Sequence, residues 1–256
     1  MISGKRLLDG VVCLVTGSSR GIGSAMAVGL AEHGATVAIN YLHSESDAED
    51  TLRRARQHNP NCLSLQFDVR SREAVQDALC EVESQCGRLD VLINNAGRLT
   101  SRSVMELDKS DFDELLNLNT WGYVNALQAA AKVMSRRDGG KIVNVSSISQ
   151  FSPFFNSAHY AMSKAAIGML TKCAALELAA DGITVNTLVP GIINTEIDAR
   201  YEDGGLLERM VKLIPLGRIE EPAAMVGSAV FLASRLSNYI TGTEIVDGGE
   251  VVSRYL

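Results

Sequence analysis

Seven short apolar runs, at residues 11–16, 35–40, 62–67, 89–94, 141–146, 183–189 and 242–247, alternate with segments of helical period along the chain. The runs are nearly continuous in Val, Ile and Leu instead of alternating with polar residues. Continuous apolar strands suit a parallel sheet covered on both faces. Strand and helix in strict alternation then predict an α/β, doubly wound Rossmann fold: a seven-stranded parallel sheet with helices on both faces. No internal repeat, low-complexity tract or linker divides the 256 residues, so a single domain over residues 1–256 is expected. The longest irregular stretch starts at Pro190 and reads as a lid over a site, at about residues 190–213.

The first run leads straight into Gly17-Ser18-Ser19-Arg20-Gly21-Ile22-Gly23, and a helical pattern begins at Ser24. Strand, glycine turn and helix together make a phosphate cradle. Gly17 permits the tight turn, Gly21 lets backbone approach a pyrophosphate, and Gly23 lets helix pack on strand. The spacing is G-x-x-x-G-x-G, which departs from the plain dinucleotide fingerprint G-x-G-x-x-G.

Tyr160 and Lys164, in Tyr-Ala-Met-Ser-Lys, stand four residues apart at the start of an alanine-rich helical stretch and share one helical face. A phenol titrates near ~10, too high for acid–base work at neutral pH. A neighbouring ammonium favours the phenolate and brings that value toward the working range. The same spacing also occurs on solvated helix faces, so the pair needs company to carry meaning.

That company is present, in order: Thr16 to Gly23, Asp68-Val69 and Asn94-Asn95-Ala96-Gly97 closing strands, Asn119 in a long helix, Ser147 ahead of Tyr160, and Pro190-Gly191 after the sixth strand. Over nearly its whole length the chain resembles the short-chain dehydrogenase/reductase family. Its carboxyl third is similar to sugar dehydrogenases of the glucose 1-dehydrogenase type and to 3-oxoacyl-carrier-protein reductases. The resemblance implies an NAD(P)-dependent oxidoreductase acting on a CH–OH group, with Tyr160 passing the proton, Lys164 lowering the Tyr160 pKa and bonding the nicotinamide ribose, and Ser147 holding the substrate oxygen. Asn119 would position a water linking Lys164 to solvent. Asp68 and Val69 would flank the adenine, and Asn95, Ala96 and Gly97 would lie along the adenosine. Pro190, Gly191, Ile193 and Thr195 would complete the cofactor site from the lid side.

Each of these residues also has a plainer reading. Asp68 can cap the next helix, Ser147 can be a turn residue, and Asn119 can be a helix-interior polar group. His159 adjoins Tyr160 in sequence but points elsewhere on a helix, which favours packing. Phe151, Pro153, Phe154 and Phe155 form the densest aromatic cluster, expected as a substrate wall or buried against a neighbouring subunit.

Cofactor preference turns on the end of the second strand. NAD-type members of the family carry an acid there, which binds the ribose 2′-hydroxyl and repels a 2′-phosphate. Here the position is Tyr41, followed by Leu42, His43 and Ser44. By the same resemblance Arg20, in the glycine loop, stands where NADP-type members hold a base, and its guanidinium can pair a phosphate through two hydrogen bonds. NADP(H) is therefore the expected cofactor, with NAD possible.

Twenty-four basic and thirty acidic residues give a net charge of −6 with no basic run, so nucleic acid and anionic membrane are not expected partners. Asp9 and Gly10 interrupt the first apolar run too early for a signal peptide or membrane span, and a cytoplasmic protein is expected. Five cysteines without Cys-x-x-Cys spacing suggest reduced, mostly buried thiols and no metal site. By resemblance, helices at about 111–136 and 157–180 would form the subunit contacts of a homotetramer. The alternative function is a cofactor-binding regulatory protein that kept the fold and lost catalysis.

Overall fold

A computed structural model describes residues 6–195, 211–212 and 214–249. Its strands are β1 (Val12–Val15), β2 (Thr36–Tyr41), β3 (Leu63–Gln66), β4 (Val91–Asn94), β5 (Gly140–Val145), β6 (Ile183–Pro190) and β7 (Glu244–Asp247). All pair in parallel, in the order β3-β2-β1-β4-β5-β6-β7. The helices are α1 (Gly21–Glu32), α2 (Glu45–Arg56), α3 (Arg72–Cys86), α4 (Lys109–Leu116), α5 (Gly122–Met134), α6 (Ala158–Leu178) and α7 (Met225–Ala233).

Successive strand residues feed opposite faces of the sheet, so each strand supplies two cores. Val12, Leu14, Ala38 and Leu92 join the layer packed by α3, α5 and α6, whereas Cys13, Val15, Val37, Ile39 and Ile93 join the layer packed by α1 and α7. This is why the runs contain no polar phase: both sides of the pleat are buried. The seven strands, the parallel pairing and the helices on both faces match the sequence expectation.

The strand order reverses between β1 and β4, and the crevice beyond their carboxyl ends is where an open α/β sheet takes its ligand. The backbone is tightest there. A Cβ on Gly17 would lie 2.7 Å from the Ala96 Cα, and one on Gly23 would lie 2.4 Å from the Gly17 carbonyl oxygen. At the other side of the sheet, Gly191 after β6 and Gly248 after β7 leave no room for a Cβ on either.

Two expectations change. The helix expected over about 111–136 is broken by a π-helical turn at Asn117–Trp121 between α4 and α5. The thiols are less buried than expected: all five are free, Cys13 and Cys62 are buried, Cys86 is intermediate, and Cys80 and Cys173 are exposed. Most of the expected lid, residues 196–210 and 213, lies outside the described residues.

Candidate active site

The glycine loop is held from two sides by buried polar groups. Asn40, at the end of β2 and 2% exposed, accepts the Gly17 N–H through Oδ1 at 2.9 Å and the Ser18 N–H through its backbone carbonyl at 2.9 Å. Its amide also donates to the carbonyl of Phe67 at 3.0 Å, tying the loop to the end of β3. From the β4 side, Thr16 Oγ1 accepts the N–H groups of Asn95 and Ala96 at 2.9 and 3.0 Å, and Asn95 Nδ2 donates back to the carbonyls of Thr16 and Gly17. Ser18 spends its hydroxyl on the Val15 carbonyl.

α1 then opens on Arg20 with no side-chain cap and no acidic residue in its first turn. Its leading N–H groups are suited to an anion, and Gly21, at φ +58°, faces space bounded, among the described residues, by Thr195 Cγ2. These residues fit the pyrophosphate of a dinucleotide. Thr195 therefore stands beside the loop. Ile193 behind it is 2% exposed and bridges Glu220, while Pro190 closes β6 opposite Asp247.

Along the rim, Arg20 and His43 are exposed, and Tyr41 and Ser44 are half-buried. Ser44 is the N-cap residue of α2 but makes no capping hydrogen bond. Asp68 forms a bidentate pair with Arg70, whose guanidinium holds the Asp68 carboxyl below its usual pKa. The cap of α3 comes from Ser71 instead, which accepts from the Ala74 N–H. Val69 is buried and packs on Gly122.

The second cluster gathers on α6 and the turn after β5. Tyr160 and Lys164 lie on α6, and the Lys164 ammonium sits 5.8 Å from the centre of the Tyr160 ring and 5.4 Å from that of Tyr123. Lys164 is 5% exposed and donates to the Val145 carbonyl at 3.0 Å. Burial pulls its pKa down to about 8. Ser147 leads the turn Ile148–Gln150, and its Oγ accepts the Ser149 N–H. Its neighbour Ser146 has its hydroxyl within hydrogen-bond reach of Gln150 Oε1, at 2.6 Å, and of the Lys164 carbonyl, at 3.0 Å, so the strand end carrying Ser147 lies against the helix carrying Lys164.

Asn119 is fully buried in the π turn, directly behind Gly97. Its side chain brackets Arg98, accepting the N–H at 3.0 Å and donating to the carbonyl at 2.9 Å, with a longer bond to Ser163 Oγ. The whole amide is thus committed to protein groups.

His159 is buried against Thr100 Oγ1 at 2.6 Å, as a packing role requires. The aromatic cluster does not hold together as one wall. Phe154 packs with Ile192 and Ile214, whereas Phe155 is 95% exposed. Sequence reasoning missed Asn40, Thr51, Tyr123 and Ser146. A polar residue inside an apolar stripe, such as Thr51 between Ala48 and Ala55, was the available signal. Among the described residues there is no cluster of His, Cys, Asp or Glu that could hold a metal, and no helix long and apolar enough to cross a membrane.

A family model described as enoyl-(acyl carrier protein) reductase matches residues 17–250. The chain is 38% identical over 237 residues to a 3-oxoacyl-[acyl-carrier-protein] reductase of Staphylococcus aureus, covering 92% of this chain and 96% of the relative. It is 36% identical to an L-rhamnose 1-dehydrogenase (NAD(P)(+)) of a Sphingomonas species, covering 97% and 99%. The crystal structure of a gluconate 5-dehydrogenase from Burkholderia cenocepacia, in complex with NADP and tartrate, superposes with a TM-score of 0.90 at 35% identity over 96% of each chain. Fold, site and relatives define an NAD(P)-dependent oxidoreductase of alcohol and ketone groups. The chain belongs to the short-chain dehydrogenase/reductase family, and the regulatory alternative has no support among relatives that carry enzyme names.

Proposed function

We propose that this chain transfers a hydride between NADP(H) and a secondary alcohol or ketone, with Tyr160 as the general acid/base. The supporting observation is the buried Lys164 ammonium beside the Tyr160 ring, on the same helix face and next to the turn that carries Ser147. The substrate class is a sugar, a polyol or a 3-oxoacyl compound.

Bound nicotinamide would supply or accept the hydride. In the reductive direction Tyr160 gives its phenolic proton to the substrate oxygen, and Ser147 Oγ, whose own proton reaches Ser149 Oγ at a long 3.3 Å, turns to hydrogen-bond that oxygen. Lys164 stabilises the phenolate that remains. An ammonium has three donors, and Val145 takes one, which leaves donors for the ribose. A water between Lys164 and solvent is assigned to Asn119, whose side-chain amide is itself spent on Arg98. Asp68 and Val69 would flank the adenine, the Asn95-Ala96-Gly97 turn the adenosine, and Pro190 to Thr195 the nicotinamide side. Arg20, with Tyr41, His43 and Ser44, would receive the 2′-phosphate. Leu42 stands where NADP-type relatives place a second Arg, so some NAD(H) activity would remain.

The working unit is a cytoplasmic homotetramer of single-domain subunits, with small-molecule substrates only. Trp121, Met162 and Met169 are more than half exposed on the π turn and α6, where subunit contacts would cover them. The test is nicotinamide absorbance in single turnovers with a panel of ketones, sugars, polyols and 3-oxoacyl thioesters. Tight NADPH binding with no turnover on any of them would overturn the reading.

A further inference from the structure

Thr51 lies on the buried stripe of α2, 1% exposed, and its Oγ1 donates to the carbonyl of Ser19 at 2.8 Å. A hydroxyl has one proton to give. Ser24 Oγ, on α1, is 2.7 Å from Thr51 Oγ1 and must therefore be the donor of that pair. Arg54 Nη1 in turn reaches Ser24 Oγ at 3.5 Å. The direction of the chain is thus settled: Arg54 to Ser24, Ser24 to Thr51, and Thr51 to the glycine loop. It runs inward from a cleft of about 470 Å³ that Arg20 and Arg54 both line.

The acceptor is informative. The Ser19 carbonyl belongs to the peptide that leads into Arg20, which has extended backbone (φ −151°, ψ 178°) at the start of α1. Holding that peptide plane decides where the Arg20 side chain leaves the loop. Helix α2, on which Thr51 sits, begins directly after Tyr41, His43 and Ser44. One buried hydroxyl therefore connects the two walls between which a ribose 2′ substituent would sit.

We propose that Thr51 is a positioning residue for cofactor selection: its hydroxyl keeps the Ser19–Arg20 peptide, and with it the Arg20 guanidinium, in register with the β2–α2 junction. This rests on the reading that Arg20 pairs the 2′-phosphate. A 2′-hydroxyl makes no such demand on Arg20, so the effect is selective for the phosphorylated cofactor.

The test titrates NADPH and NADH, by nicotinamide fluorescence, into wild type, Arg20→Ala, Thr51→Val, Thr51→Ser and Ser24→Ala, with thermal melts alongside. Thr51→Val keeps the shape and removes the hydroxyl. It is expected to raise the Kd for NADPH about tenfold, the equivalent of one well-placed hydrogen bond, and that for NADH less than about threefold. Saturating kcat should change less than about twofold, and Thr51→Ser should restore the NADPH Kd. Equal losses for both cofactors, or no loss, would overturn the inference. Should Thr51→Val not fold, Ser24→Ala removes the donor behind Thr51 and is expected to shift the NADPH to NADH ratio in the same direction by a smaller factor; an unchanged ratio there overturns it too. A wild type that prefers NADH, or a preference unaffected by Arg20→Ala, instead overturns the 2′-phosphate reading itself. An Arg20-dependent preference that survives Thr51→Val overturns only the role of Thr51.

Discussion

Lys164 and Tyr123 share one acceptor: the ammonium and the phenol both donate to the Val145 carbonyl, at 3.0 and 2.8 Å. Tyr123 is 1% exposed, and burial pushes its own pKa far up, so it stays a neutral donor. Its ring face lies against the ammonium and its hydroxyl against the ammonium's partner. Lys164 is thereby kept in a buried position that favours loss of its proton, yet the proposed chemistry needs the charge.

That conflict has a measurable cost. With a pKa of about 8 in the fold and an ordinary value near ~10.4 in the unfolded chain, the ammonium destabilises the fold below pH 8 by on the order of 3 kcal/mol. The unfolded chain holds the proton more tightly, so stability rises with pH between those two values. Lys164→Met should therefore melt higher than wild type at pH 7, by about 6–12 °C, and the difference should shrink as pH rises from about 8 to about 10.4. Turnover should be lost in the same variant. Thermal melts across pH, paired with an assay, check both halves.

Tyr160→Phe removes one hydroxyl from the proposed reaction centre and none from the glycine loop. Turnover should fall by about 10²–10⁴, with the Kd for NADPH changed less than about twofold. Retention of a tenth of wild-type turnover would exclude Tyr160 as the proton donor.

Arg20→Ala should lower the NADPH over NADH preference in kcat/KM by about 10–100-fold, mainly through the NADPH value. A fall shared equally by both cofactors would assign Arg20 to the loop's shape rather than to the phosphate.

His159 should matter through acid stability. Burial, aided by Arg102 and opposed by Asp111, holds its pKa below the ordinary imidazole value, and Nδ1 has no partner among the described residues. The fold favours the neutral ring, so this contribution is complete above the unfolded value of about 6.5 and is lost as pH falls through it toward the folded pKa. His159→Gln should lower Tm at pH 8 by a few degrees, about the cost of one imperfect buried hydrogen bond, and should give a flatter fall in Tm between about pH 6.5 and 5. Parallel Tm curves for the two proteins would exclude the titration.

The sheet and the glycine loop were legible because they rest on local pattern: strand-length apolar runs, and glycines where backbones nearly touch. What escaped notice depends on partners far along the chain. Asn40 reads as the polar end of a strand, and only the folded chain shows it holding Gly17 and Phe67 together. Asn119 was expected to face a water, but its amide is satisfied by the backbone of Arg98, which the π turn brings within reach. Adjacency in sequence suggests one aromatic surface, on a substrate or on a neighbouring subunit, whereas in the fold Phe154 packs with Ile192 and Ile214 and Phe155 is 95% exposed.

The close approach of Gly17 to Ala96, and the bonds that Asn95 donates to Thr16, span nearly eighty residues of chain. The cradle is therefore a tertiary object, although its fingerprint is contiguous. A nascent chain that has emerged only as far as α3 already carries all three glycines and has nowhere to put a pyrophosphate. Cofactor capture must wait for β4 to slot beside β1, and from that moment every molecule bound weighs against unfolding of the whole sheet.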